Sequence, residues 1–152
     1  MPKPKRSQHG LLHARRGVRS QCHGQNCSCR APTPGKHSSM FDFGSVTMID
    51  DKLTETVDWN STQIGRVRGF YHVSAMDGSD FNLLLSLVFT NRDFNGSTLQ
   101  IHGSIFQHKE MAIMSGTGKF RLAKGFATLH TAFRDTSTFN SILRWNVTVF
   151  HC

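Results

Sequence analysis

QIGRVRGFYHVSAMDGSDFNLLLSLVFT, residues 63–90, is the stretch from which the fold is read. Taken two at a time, residues 63–76 put Ile64, Arg66, Arg68, Phe70 and His72 on one face. Gly65, Val67, Gly69, Tyr71, Val73 and Ala75 fall on the other, which is the period of an extended strand and not of a helix. Asp77, Gly78, Ser79 and Asp80 then supply a hairpin connection, and residues 81–90 are nearly all apolar, so the two strands are expected to pair antiparallel.

The same texture extends in both directions. Residues 45–49 read as a short strand leading into a turn at Asp50 and Asp51. Asn95-Gly96 is the strongest local hairpin signal, because both residues tolerate positive φ, and residues 97–102 and 110–114 read as the next strands. Ser115, Gly116, Thr117 and Gly118 predict a sharp reversal, after which residues 119–133 form a long strand with Gly125 at its middle as a bulge or bend. In residues 142–150, Leu143, Trp145, Val147 and Val149 alternate with Arg144, Asn146 and Thr148. No segment sustains a 3.6-residue period. The expected fold is all-β, an antiparallel β-barrel of about eight strands to which this chain supplies about seven. Gly65, Gly69 and Gly125 favour that curled form over a flattened sandwich.

The 152 residues suffice for one domain with a core. Residues 1–40 hold eight Lys and Arg and no acid, so residues 41–152 carry ten of each sign and are formally neutral. The division predicted is a disordered basic tail at 1–40 and a barrel domain at 41–152. Because the excess charge lies in the tail, the body has no basic binding face, and no nucleic-acid partner is expected. No run of 18 apolar residues predicts a membrane span, and near the start only Leu11 and Leu12 adjoin before His13, so no secretory signal is read. Cys22, Cys27 and Cys29 do not have the spacing of a structural zinc site; a disulfide from the tail to Cys152 requires an oxidising compartment.

Chemistry-bearing motifs are few. The histidines make no His-Glu-x-x-His pattern, no Gly-x-Ser-x-Gly elbow occurs, and Gly116-Thr117-Gly118-Lys119 fails as a phosphate loop because Phe120 follows the lysine. No metal or cofactor is expected. Asn-x-Ser/Thr acceptors stand at Asn26, Asn60, Asn95 and Asn146. What remains is the lining of the barrel: Leu83, Leu85, Leu87, Ile113, Ala127, Leu129, Leu143 and Val147 beside Tyr71 and Trp145, a wall suited to a planar, weakly polar guest.

Four blocks in order carry a resemblance: FGSVTMIDDKLTE (43–55), IGRVRGFYHVSAMDGSDFNLLLSLVFTNRDFNGSTLQIHG (64–103), KEMAIMSGTGKFRLAKGFATLHT (109–131) and ILRWNVTVFHC (142–152). Together they resemble the plant dirigent protein family over residues 41–152. The resemblance implies an eight-stranded barrel that forms homo-oligomers, dimers or trimers, and a secreted, glycosylated protein of the apoplast. It implies binding of phenoxy radicals of monolignols such as coniferyl alcohol, supplied by an external laccase or peroxidase, and stereoselective coupling to lignans without oxidation by the barrel itself. Other roles within the resemblance are a non-catalytic small-aromatic-binding defence protein and an isomerase that cyclises phenolic quinone methides.

Carried over residue by residue, the family's pocket arginine corresponds to Lys109, which keeps the charge and loses the planar fork. Tyr71 matches the aromatic after the Gly-Arg-x-x-Gly segment, and Asp50 and Asp51 match the paired acids before Leu53. Lys109, Tyr71 and Asp51 are therefore the candidate catalytic residues. The family's first strand with its aromatic-His-Asp segment has no counterpart here, and Ser104 and Ile105 stand where a second pocket aspartate is expected.

Overall fold

The computed structural model describes residues 5–17, 41–58, 60–105, 109–134 and 140–151. They form β1 (Lys5–Gly17), β2 (Val46–Thr54), β3 (Gln63–Val73), β4 (Phe81–Phe89), β5 (Thr98–Ser104), β6 (Glu110–Thr117), β7 (Lys124–Arg134) and β8 (Asn140–His151), with a 3-10 turn at Gly118–Phe120. Each strand pairs antiparallel with the next, and β1 returns to β8, so the sheet is a closed barrel. Closure gives every strand a neighbour on each side, as a curled sheet without covering helices requires, with the shortest seam between β1 and β2.

Three expectations are corrected. Lys5–Gly17, read as part of a disordered tail, is β1 and supplies the stave that residues 41–152 lack. It pairs with β8 from Lys5↔His151 to Gly17↔Asn140 and with β2 from His13↔Thr54 to Arg15↔Lys52. Two open strands offer backbone partners whatever side chains the third carries. Asp50 and Asp51 are not a turn: β2 runs through them, opposite Arg68 and Val67. The reversal expected at Ser115–Gly118 comes later, since β6 continues to Thr117 and the 3-10 turn delays β7 to Lys124. The cysteines and Asn26 lie outside the described residues.

Alternation positions the core. From β3 to β8 the buried residues include Val67, Tyr71 and Val73, then Leu83, Leu85 and Leu87, Leu99 and Ile101, Met111 and Ile113, Ala127 and Leu129, and Trp145, Val147 and Val149. Of the residues expected to line the interior, all but the partly buried Leu143 are fully buried in this one cluster. Tight coiling needs close strand approach at two glycines. A Cβ on Gly69 would overlap the Leu84 carbonyl oxygen and one on Gly125 the Thr148 carbonyl oxygen, and both have positive φ, 148° and 158°.

One end of the barrel is stoppered by aromatic rings. Phe89 ends β4, Phe94 belongs to the β4–β5 connection and Phe120 to the 3-10 turn; Phe94 and Phe120 stack at 5.1 Å, and Phe89 lies 5.3 Å from Phe120. The connection is held shut by hydrogen bonds from the Gly96 N–H to the Phe89 carbonyl (3.1 Å) and from the Ser97 N–H to the Phe94 carbonyl (2.8 Å). Ser97 Oγ accepts from the Lys119 N–H at 3.1 Å, tying the 3-10 turn to it.

Candidate functional site

At the other end of the barrel β2, β4, β6 and β8 begin and β3, β5 and β7 finish. Tyr71 stands two residues from the end of β3, buried, with its ring 5.6 Å from Phe81, whose other neighbour Phe41 meets it edge-on at 5.8 Å. Lys109 lies at the same end, just before β6, exposed and with a φ of 49°. Its carbonyl accepts the Leu129 N–H at 3.0 Å.

Asp51 is deeper. It shares the β2 face of Ile49 and Leu53 and pairs with Val67, so its half-buried carboxyl belongs to the inner wall. Tyr71 is four residues beyond Val67 on the same face of β3, about 13 Å along the strand at 3.3 Å per residue. The structure thus brings Asp51 and Tyr71 to one wall at different depths. It leaves Lys109 three strands from Tyr71, on the rim.

Asp50, on the outer face, has a structural partner set. Arg66 Nε meets its Oδ1 at 2.5 Å, Arg68 Nε meets the same oxygen at 3.3 Å, and Arg66 Nη2 donates to its carbonyl at 2.9 Å. Partial burial pushes the Asp50 carboxyl upward, but the hydrogen bonds and charges of Arg66 and Arg68 outweigh it and hold the group below the ordinary carboxylate value. A depressed value in the folded state stabilises above the unfolded value of about 3.9 and is lost as pH falls through the folded one. Replacing Asp50 with Asn is therefore expected to cost no more than about 1 kcal/mol at pH 7, as for exposed pairs. In urea titrations that difference should shrink as pH falls below the unfolded value and vanish once the wild-type carboxyl is protonated in the folded state as well.

At the same end as Tyr71, Ser104 Oγ donates a short hydrogen bond to Asp80 Oδ1. This puts a carboxylate of the β3–β4 turn beside Ser104, the position where the second pocket acid was expected. Read in sequence, Asp80 is only a turn former; nothing short of the register links it to β5. Ser104 pairs with Asn82, which alternates with the buried Phe81 and Leu83, so this pair belongs to the outer side of the rim.

A cleft of about 440 Å³ lies along the end of β7 and the start of β8, lined by Val57, His130, Thr131, Ala132, Phe133, Ile142 and Arg144. His130 and Arg144 pair across the strands on the face opposite the buried Leu129 and Trp145, so this cleft belongs to the outside of the barrel.

The model of the dirigent-like protein family matches residues 18–150. Dirigent protein 11 of Arabidopsis thaliana is 33% identical over 124 residues, covering 80% of this chain and 63% of the relative. Dirigent protein 23 of the same plant is 37% identical over 112 residues, covering 72% and 60%. Pterocarpan synthase 1 of Glycine max is 33% identical over 121 residues, covering 77% and 65%. The chain thus spans about three fifths of the length of these relatives. Among solved structures, the pterocarpan synthase dirigent protein GePTS1 superposes with a TM-score of 0.76 at 28% identity, covering 100% of this chain and 88% of that one. A second pterocarpan synthase dirigent protein, PsPTS1, gives 0.72 at 25%, covering 97% and 96%. With one barrel topology, one inner wall and these matches in agreement, the chain belongs to the dirigent-like protein family.

Proposed function

We propose that the barrel takes a small phenolic guest through the end that Tyr71 adjoins and orients it for stereoselective coupling. In this reading the guest is the phenoxy radical of a monolignol such as coniferyl alcohol, made by a separate laccase or peroxidase, and the barrel contributes orientation without oxidation. The observation that supports it is the inner wall itself, apolar throughout β3 to β8 yet carrying the Asp51 carboxyl and the Tyr71 phenol. Supplying an external laccase with coniferyl alcohol and the protein is expected to give dimers with an enantiomeric excess. Racemic dimers in the presence of folded protein would refute the reading.

A second reading is favoured by the two pterocarpan synthase structures and by the inward acid. Cyclisation of a quinone methide needs a proton delivered to or taken from oxygen, which a carboxyl and a phenol at one wall supply. Asp51→Asn should then abolish ring closure while leaving the barrel folded, whereas radical steering should survive it in part.

The protein is further read as secreted to the apoplast, with Asn60 and Asn95, both exposed, as glycan acceptors. It is also read as a homo-oligomer. Met48, Phe70, Leu84, His102, Ala112 and Phe126 are successive partners across β2 to β7 on the outer face. Met48, Leu84 and Phe126 are 63%, 50% and 40% exposed. Five strand spacings of about 4.8 Å make this row about 24 Å long, the scale of a contact between copies. The double substitution Leu84→Glu with Phe126→Glu should convert an oligomer to monomer in light scattering; an unchanged mass would exclude this face.

A further inference from the structure

We propose that the indole N–H of Trp145 is the hydrogen-bond donor that fixes an oxygen atom of the guest inside the barrel. The proposal rests on the reading of the interior as a phenol-binding chamber and adds to it the group that sets the guest's orientation. Trp145 is 2% exposed and belongs to the core cluster, opposite Leu129 of β7 and two residues from Val147. Its Nε1 is fully buried and has no hydrogen-bond partner. Buried donors in native proteins are nearly always paired, and one left unmet incurs the full desolvation cost of the group.

Three other buried polar atoms among the described residues also have no partner, and none of them serves the interior. Asn82 and Arg144 alternate with inward residues and so belong to the outer face, and Asn91 is in the β4–β5 connection. Trp145 Nε1 is thus the inner-wall polar atom with an unmet valence. An indole N–H only donates, so the group it recognises is an acceptor: a phenolic, methoxyl or carbonyl oxygen. A ring with such an oxygen also suits the flanking Leu129, Leu143 and Val147, and one directional bond among non-directional contacts turns a loosely held disc into an oriented one.

The chain has two tryptophans, so the variant Trp59→Phe leaves Trp145 as the one indole N–H to be seen in nitrogen-15 spectra. Coniferyl alcohol and an arene of the same outline lacking oxygen are titrated into it, with calorimetry as the measure of binding. Coniferyl alcohol is expected to move the Trp145 indole proton downfield, and the oxygen-free arene is not. Trp145→Phe, which keeps an aromatic ring and removes the donor, should weaken coniferyl alcohol binding about 5- to 150-fold and leave arene binding unchanged. If coniferyl alcohol binds while the Trp145 proton stays in place, the proposal is overturned and the chamber stands, the indole then being served by enclosed water. If neither compound binds the full chain, the chamber reading fails and the proposal with it. Should Trp145→Phe not fold, the spectra of Trp59→Phe decide alone.

Discussion

Gly69→Val is expected to yield little folded protein. Gly69 lies at the middle of β3 with Ile49 of β2 on one side and Leu85 of β4 on the other, and an added Cβ would fall on the Leu84 carbonyl oxygen. That oxygen belongs to the ladder itself, so no side chain can swing aside to make room. The backbone adds a second cost, because a φ of 148° is strained for any residue with a Cβ, and most of all for a β-branched one. Overpacking and backbone strain each cost about 1–3 kcal/mol, together about 2–6 kcal/mol against a total stability of about 5–15 kcal/mol. The urea midpoint followed by circular dichroism should drop steeply or disappear. A midpoint equal to that of the wild type would mean that β3 and β4 do not approach as described.

Phe120→Ala is expected to cost about 3–5 kcal/mol, the usual range for removing a buried phenylalanine. Phe120 is fully buried although it sits in a three-residue 3-10 turn between strands, and its value comes from the two rings it holds together. Without it Phe89 and Phe94 keep their mutual contact at 5.8 Å but lose the ring that each of them packs against. A cycle of Phe94→Ala, Phe120→Ala and the double variant should give a coupling of about 0.5–1.5 kcal/mol, as for aromatic pairs. Additive single effects would indicate that the rings fill space separately.

What could be read in advance, and what could not, follows from where the restraint resides. The two faces of β3 and β4 were legible because alternation of Val67, Gly69 and Tyr71 against Arg66, Arg68 and Phe70 is a local pattern that burial reproduces. Asp50 and Asp51 were misread because adjacent acids resemble a turn. In the barrel Asp50 finds Arg66 and Arg68 across the strand, 16 and 18 residues away, and no local pattern contains that pairing. The Gly116-Thr117-Gly118 run was placed too early as a reversal, since Phe120 is drawn inward by Phe89 and Phe94 and the connection stretches to accommodate it. β1 gave no signal because its pairing comes from the unfilled edges of β2 and β8. That Asp51 and Tyr71 share an inner wall follows from strand register, and Trp145 is legible in the sequence as an interior residue; that its N–H lacks a partner is visible only in three dimensions.

The pairing of β1 with β8 makes the first described strand of the chain the neighbour of the last. During synthesis, seven strands emerge before the one that seals the cylinder, and until it arrives the partial sheet exposes two adhesive margins. Contacts between residues so distant along the chain close late and slowly. Fluorophores attached near Lys5 and His151 would therefore light the sealing step alone, apart from the earlier zipping of hairpins.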